Sequence, residues 1–373
     1  MEEKSAATIG LRKKQILSLQ GRELMNSRII ASLAAGLICA ASSLSVFSAP
    51  DLSGTYNVAT LTPLERPRAF GKNLYLSIED AEKMRAADAA AKAERNEASD
   101  PNREAPPSGG DGSPGAAGNV GGYNTFWIDN GDQAFLVDGK FRTSILTTPA
   151  DGRRPKMTPA SAKRTAERRK RFRTNQGEAW WLKENLKGPG PYDDMELRPL
   201  AERCLLGFGP VAGPPMFPTL YNNLKRIVQS ERSIMILAEM VHDARVVRMN
   251  AEHRPDHIRT WLGDSIGWWD GDTLVVDTTN FNDQPALYGA DRNLHVVEKF
   301  RKLENGDLLY SFVVNDPTVW SASWGGEYPW PSTQEKVYEY ACHEGNYSFG
   351  NIMRGARILE QDFINEGSIG GGN

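Results

Sequence analysis

The chain has 373 residues but only five histidines. Three pairings are singled out: His242 precedes Asp243, His257 follows Asp256 and lies two residues before Arg259, and His343 precedes Glu344. An imidazole oriented by a carboxylate can exchange protons near neutral pH, so these pairs point to general acid–base chemistry. His343 or His242 is the expected base, with Asp243, Glu344 or Asp264 orienting it and Arg245 or Arg259 holding an anionic substrate group. Tyr347 is the candidate proton donor, His257 belongs to the same catalytic set, and Trp261 and Asn346 complete the substrate contacts. The alternative for each histidine is an inert, hydrogen-bonded core residue.

Two further patterns carry chemistry less well. Gly263-Asp264-Ser265-Ile266-Gly267 matches G-x-S-x-G, but a nucleophile elbow needs a helix after it, and an aromatic strand pattern follows here. The better reading is a glycine-bounded turn in which Asp264 and Ser265 cap backbone groups. His242, Asp243, His257, His343 and Glu344 are acceptable ligand types for zinc or iron, yet no H-E-x-x-H spacing or cysteine pair joins them. Adjacent His242 and Asp243 on a strand would also point to opposite faces. No cofactor is therefore expected, with a divalent metal as the lesser alternative.

The elements that must position these residues are mostly strands. His257 to Asp283 holds an Asp270-Gly271 turn signal between an aromatic arm (Ile266, Trp268, Trp269) and a β-branched arm (Thr273, Val275, Val276, Thr278, Thr279). Thr125 to Asp129, Ala134 to Val137 and Phe141 to Leu146 read as strands, the last two joined at Asp138-Gly139. So do Arg226 to Gln229, Ser233 to Val241, Ala244 to Met249 and Val337 to Cys342. Leu294 to Leu303 and Leu308 to Val314 pair through Asn305-Gly306. Alternation across Ala238 to Arg248 puts Met240, His242 and Ala244 on one face and Glu239, Val241, Asp243 and Arg245 on the other.

Helices are expected from Ser77 to about Ala98, from Thr158-Pro159 onward, and from Phe349 to Phe363. The second carries Lys163, Arg164, Arg168, Arg169, Lys170 and Arg171 and is read as a solvated surface helix. Serial hairpins without βα alternation predict a mainly β protein, an antiparallel β-barrel-like core with peripheral helices. Such a barrel holds a small, partly apolar ligand in its mouth.

Composition agrees with a globular protein, at 40% hydrophobic and 24% charged residues. Asn26-Ser27-Arg28 followed by the uncharged run Ile29 to Leu44 reads as a Sec-type export signal, with Met25 as the start and cleavage after Ser48. Ile38 is a poor predecessor for a lipidated Cys39. Without residues 1 to 48 the net charge moves from −3 to about −6, a poor match to nucleic acid. No stable membrane insertion is expected after the signal is removed, and the protein is expected in the periplasm or outside the cell. Only Cys204 and Cys342 then remain, an even count in an oxidising compartment, which predicts one disulfide between them. The domain plan is 1–48 signal and upstream extension, 49–98 strand plus helix, 99–122 Gly/Pro-rich loop, 123–363 β-rich core and 364–373 flexible tail.

The combination GGYNTFW, YNNLKRIVQ, AEMVHDARVV, HIRTWLGDSIGWWDGDTLVVDTTNF and YEYACHEGNY resembles a large family of uncharacterised exported bacterial proteins, over about residues 120 to 360. The DLSGTY start and the serial hairpins look like lipocalin-type barrels at the level of fold. The family resemblance implies export and no particular activity. The leading expectation is an exported enzyme acting on a small, partly apolar molecule, as a lyase, isomerase or hydrolase. The alternatives are a non-catalytic periplasmic binding or carrier protein, and an envelope assembly factor that exposes aromatic loops near Trp320, Trp324 and Trp330.

Overall fold

A computed structural model describes residues 49–96, 102, 128–173, 177–207, 209–284, 287 and 289–370. The export signal, its cleavage site, Cys39, nearly all of the loop at 99–122 and Thr125 to Trp127 lie outside the described residues. By its contacts the chain divides into Met1–Ala49 and Pro50–Asn373, and the second unit carries the fold described below.

In chain order the elements are β1 (Gly54–Asn57), α1 (Ile78–Arg95), β2 (Leu136–Val137), β3 (Lys140–Phe141), β4 (Leu146–Thr148), α2 (Pro159–Lys170) and α3 (Trp180–Lys183). The strand-rich part follows as β5 (Leu224–Gln229), β6 (Ser233–Ala238), β7 (Ala244–Met249), β8 (Asp264–Asp270), β9 (Thr273–Thr279), β10 (His295–Lys302), β11 (Leu308–Asn315), β12 (Trp324–Trp330) and β13 (Ser332–Thr333). The closing helix is α4 (Tyr347–Gly370).

Two of the three predicted helices are capped at their starts as the sequence suggests. The Ser77 hydroxyl accepts from the Asp80 N–H at 3.0 Å, and the Thr158 hydroxyl from the Ser161 N–H at 3.2 Å, with Pro159 at the first position. α4 runs on to Gly370, through most of the segment expected to be a flexible tail.

Eleven strands form one sheet in the order β13-β1-β5-β6-β7-β8-β9-β10-β11-β12-β4, and β2 pairs with β3 separately. The protein is thus mainly β and mostly antiparallel. No closed barrel is found, so the lipocalin-like form goes beyond what the fold shows. β12 and β13 are nonetheless consecutive in sequence, and they pair with β11 and with β1 respectively. The Asn57 N–H also donates to the Pro331 carbonyl between them, at 2.9 Å.

One junction departs from the serial hairpins. β7 and β8 are parallel, with Val247 opposite Ser265 and Met249 opposite Gly267. Adjacent parallel strands require the chain to return over a face of the sheet, and residues 250–263 make that return. This excursion brings His253 and Arg254 against the sheet.

The inner face is packed solid. Ile227, Ile236, Val247, Val276, Val296, Phe300, Tyr310, Phe312, Trp324, Tyr328 and Trp330 are buried in one cluster. The rings of Tyr310 and Trp330 lie 4.8 Å apart and those of Phe300 and Tyr310 5.0 Å apart. The Gly/Pro segment before β5 enters this face as a plug: the Met216 N–H donates to Tyr310 Oη at 2.9 Å, and Tyr328 Oη donates to the Met216 carbonyl at 3.0 Å. Two hydroxyls thereby satisfy a buried loop backbone that has no strand partner.

Several local expectations are corrected. Trp320, Trp324 and Trp330 are buried core residues and not an exposed aromatic surface, because β12 was hidden in the sequence by Gly325, Gly326, Pro329 and Pro331. Val337 to Cys342 forms no ladder and runs as an irregular strap. The strand expected to continue from Ser233 to Val241 stops at Ala238, where Met240–His242 makes a tight turn with Val241 and His242 at φ 61° and 48°. That turn breaks the alternation and leaves His242 exposed. The central hairpin pairs Asp270 with Thr273, so its two-residue loop is Gly271-Asp272, one place later than expected. Gly271 takes the positive φ of 60° that the turn needs.

Candidate functional site

Five ionisable side chains, from β7 to β10 and the crossover loop, link up on the outer face of the sheet. Asp277, in the middle of β9, alternates outward from buried Val276 and Thr278. It sits in register with Ile266 of β8 and Val297 of β10. His295 is two residues before Val297 and therefore on the same face, diagonal to Asp277. Its Nε2 meets Asp277 Oδ2 at 2.8 Å. The crossover loop supplies His253, whose Nε2 meets Asp277 Oδ1 at 2.9 Å and whose Nδ1 meets Asp264 Oδ2 at 3.0 Å. Asp264 is further held by Arg248 Nη2, 3.0 and 2.9 Å from its two oxygens, and by the Arg254 N–H at 2.9 Å.

The result is a continuous chain, His295–Asp277–His253–Asp264–Arg248. Asp264 is its most buried member: the side chains of His295, Asp277, His253, Asp264 and Arg248 are 38%, 21%, 26%, 5% and 31% exposed. With a carboxylate at each ring nitrogen, His253 is a fixed link between Asp277 and Asp264. His295 is the accessible end, and its Nδ1 has no hydrogen-bond partner among the described residues.

Electrostatics support charge separation here. The Asp277 hydrogen bond raises His295 above the ordinary histidine value, against the opposing effect of burial. Burial would push Asp277 up, but the hydrogen bonds and charges of His295 and His253 outweigh it and hold the carboxyl below its usual value. For Asp264, burial is likewise outweighed, by the Arg254 N–H, His253 and Arg248. An imidazole oriented by a carboxylate that is itself braced is the arrangement that general acid–base catalysis uses.

Of the residues expected from sequence, only Asp264 belongs to this chain. His242 Nδ1 lies 2.9 Å from the Tyr340 carbonyl, at the strap, and its neighbour Asp243 is half-buried beneath. His257 is exposed on the crossover loop. His343 and Glu344 are exposed beyond the strap, and Tyr347 is 80% exposed at the start of α4. None of these comes together with another catalytic candidate in the way a shared site requires.

The expected substrate contacts are also dispersed. Arg245 points inward, buried, and is closed on Glu298 with 2.6 and 2.9 Å contacts, so its guanidinium does not face solvent where a substrate would arrive. Arg259 donates to the Phe281 and Arg292 carbonyls at 3.0 and 2.9 Å, pinning loops. Trp261 is half-buried on the crossover loop. Asn346 donates to the Glu202 carbonyl at 2.9 Å and accepts from the Phe349 N–H at 3.2 Å, which begins α4. Cys204 and Cys342 are paired at disulfide distance, with Cα atoms 5.8 Å apart. Ser265 is buried mid-strand against Thr278 Oγ1 at 2.8 Å, with no histidine beside it and no elbow.

Adjacency in the chain does not single out either histidine of the site: His295 has no acidic neighbour, and His253 follows Glu252 but is held by Asp264 and Asp277 instead. Strand geometry sends sequence neighbours to opposite faces and brings together residues two apart on facing strands, so adjacency selects the wrong partners. The usable signal was Asp277, a charge in the outward phase of LVVDTT, with a histidine at the start of the next strand.

No set of three or more histidine, cysteine or acidic side chains is poised to hold a metal among the described residues. No helix among them is long and apolar enough to cross a membrane. Two open clefts, about 520 and 470 Å³, are lined by Met157 and residues of α2, and by Tyr75 to Ile78 with the β2–β3 hairpin. Neither includes a residue of the histidine–aspartate chain. Compared with protein-family models, curated proteins and solved structures, the chain finds no match.

Proposed function

We propose that the protein is an exported enzyme that moves a proton on a small, partly apolar organic molecule, with His295 as the group that touches the substrate. The observation that carries this reading is the pair of contacts to Asp277, 2.8 Å from His295 and 2.9 Å from His253. Asp277 orients His295 and stabilises its protonated form; His253, Asp264, Arg248 and the Arg254 N–H brace Asp277 from behind. Asp277 shares its strand-to-strand row with Ile266, Val297 and Val313, the last 52% exposed. That row gives an apolar molecule a flank to lie on while its polar end meets His295. The chemistry fits a lyase, an isomerase or a hydrolase, each of which begins or ends with such a transfer.

We further read the sheet as barrel-like, its ends brought together by the continuous β12–β13 segment. In this reading the interior is core and not a ligand chamber, which favours catalysis at the outer face over carriage of a ligand inside.

The test follows deuterium incorporation and net turnover in D2O for a panel of small carbonyl and carboxyl compounds with apolar tails. Wild type is expected to act on at least one compound, with losses of about 10²- to 10⁴-fold in His295→Ala and Asp277→Asn. His343→Ala and His257→Ala are expected to retain full activity. Equal rates in wild type and His295→Ala would end the proposal.

A further inference from the structure

Lys225 lies on the inner face at the start of β5, in register with Tyr56 of β1 and Ala238 of β6. It is completely buried, and its Nζ has no hydrogen-bond partner among the described residues. An ammonium left this way carries a large desolvation cost, and burial lowers Lys225 to about 7 despite the opposing charges of Asp243 and Glu239. Much of the side chain is then neutral amine at neutral pH, which is the nucleophilic form. Nothing in the histidine–aspartate chain uses it.

The turn next to this residue is unusual. Glu239 to Asp243 follows Ala238, the strand neighbour of Lys225, and turns with Val241 at φ 61°, ψ 12° and His242 at φ 48°. Consecutive left-handed residues, one of them β-branched, persist only where their surroundings hold them, and such strain gathers at sites that act. The surroundings are the strap. The Tyr338 N–H donates to Glu239 Oε1 at 2.9 Å, the His242 ring meets the Tyr340 carbonyl, and Cys342 is tied to Cys204. From the other side Val211 and Ala212 pack on Ala238, Met240 and Val241. Asp243, half-buried and near enough for its charge to act on Lys225, is raised by burial to about 6.

We propose that Lys225 is a carbonyl-reactive lysine, which forms an imine with a small aldehyde or ketone admitted when the Glu239–Asp243 turn lifts from the strap. The site is separate from His295 and stands without it. The Nζ lone pair bonds to the carbonyl carbon, the π pair moves to oxygen, and a proton passes from nitrogen to that oxygen. The hydroxyl then departs as water, taking a proton from Asp243, while the C=N bond forms. The last nitrogen proton returns to Asp243. Amine and carbonyl enter, imine and water leave, and nothing is oxidised or reduced.

The experiment treats the full-length chain with propanal and sodium cyanoborohydride at pH 7 and follows alkylation by intact mass and peptide mapping. Lys225 is expected to be alkylated roughly tenfold faster than surface lysines, whose amines are mostly protonated at that pH. Asp243→Asn is expected to slow labelling of Lys225 several-fold and leave the other lysines unchanged, and Lys225→Met to remove only that adduct. Reduction of the Cys204–Cys342 pair should speed the reaction by releasing the strap. Lys225 left unlabelled in both the oxidised and the reduced protein would overturn the proposal. So would labelling no faster than global unfolding, measured by hydrogen exchange of the β5 amides.

Discussion

Arg245 and Glu298 close a two-pronged ion pair, at 2.6 and 2.9 Å, from strands three places apart in the sheet. In a flat sheet β7 and β10 would stand about 14 Å apart, so the contact needs both long side chains and an inward curl. Tyr310 Oη adds a 2.8 Å bond to the same carboxylate and passes the network on to the Met216 plug. Both charged side chains are essentially unexposed, at 2% and 0%.

A buried pair of this kind is more damaging to break than to replace. Glu298→Ala strands the guanidinium and is expected to cost about 3–5 kcal/mol. The double change Arg245→Met, Glu298→Leu should cost far less, because no charge is left unpartnered. Denaturant midpoints for the three proteins check this, and equal losses in the single and double variants would show that the ion pair is not the issue.

The His295–Asp277 pair makes stability depend on pH in a bounded window. The raised His295 contributes fully below the ordinary histidine value of 6.5 and loses its contribution as pH rises through its own higher value. The lowered Asp277 contributes above 3.8 and loses it as pH falls through its own lower value. Wild type should therefore exceed Asp277→Asn in stability most clearly between about pH 4 and 6.5. Thermal melts across pH 3 to 9 read this directly, and a gap that does not vary with pH would count against the pair.

Cys204 and Cys342 are 138 residues apart, so their bond closes a long loop. Reduction, or Cys342→Ala, is expected to lower stability by about 2–4 kcal/mol and to loosen the strap on the Glu239–Asp243 turn first. Thiol titration of the denatured chain before and after reduction provides the primary check. Equal counts would mean that the bond does not form.

Gly326 sits where β12 meets β4, and a Cβ there would lie 2.2 Å from the Ile145 carbonyl oxygen. Backbone cannot step aside as a flexible side chain can, so Gly326→Ala should separate β4 from the sheet edge. The expected loss is on the order of 3 kcal/mol, with faster amide exchange concentrated in β4 and its surroundings. A variant as stable as wild type would show that this edge tolerates a shift in register.

Sequence by itself determined the local pieces: capped starts at Ser77 and Thr158, the run of hairpins, the mainly β class and the cysteine pair. Each rests on contacts between near neighbours or on a count, and a linear reading can see both. The tertiary structure decided the rest. Strand β12 came from a segment whose glycines and prolines concealed its phase, and the turn at Val241 broke an alternation that His242 was expected to follow. The candidate site depended most on long-range geometry. Asp277 meets His295 through strand register and His253 through a crossover loop, two relations that adjacency in the chain does not encode. Arg245 looked free to bind a substrate until the curl of the sheet brought Glu298 within reach.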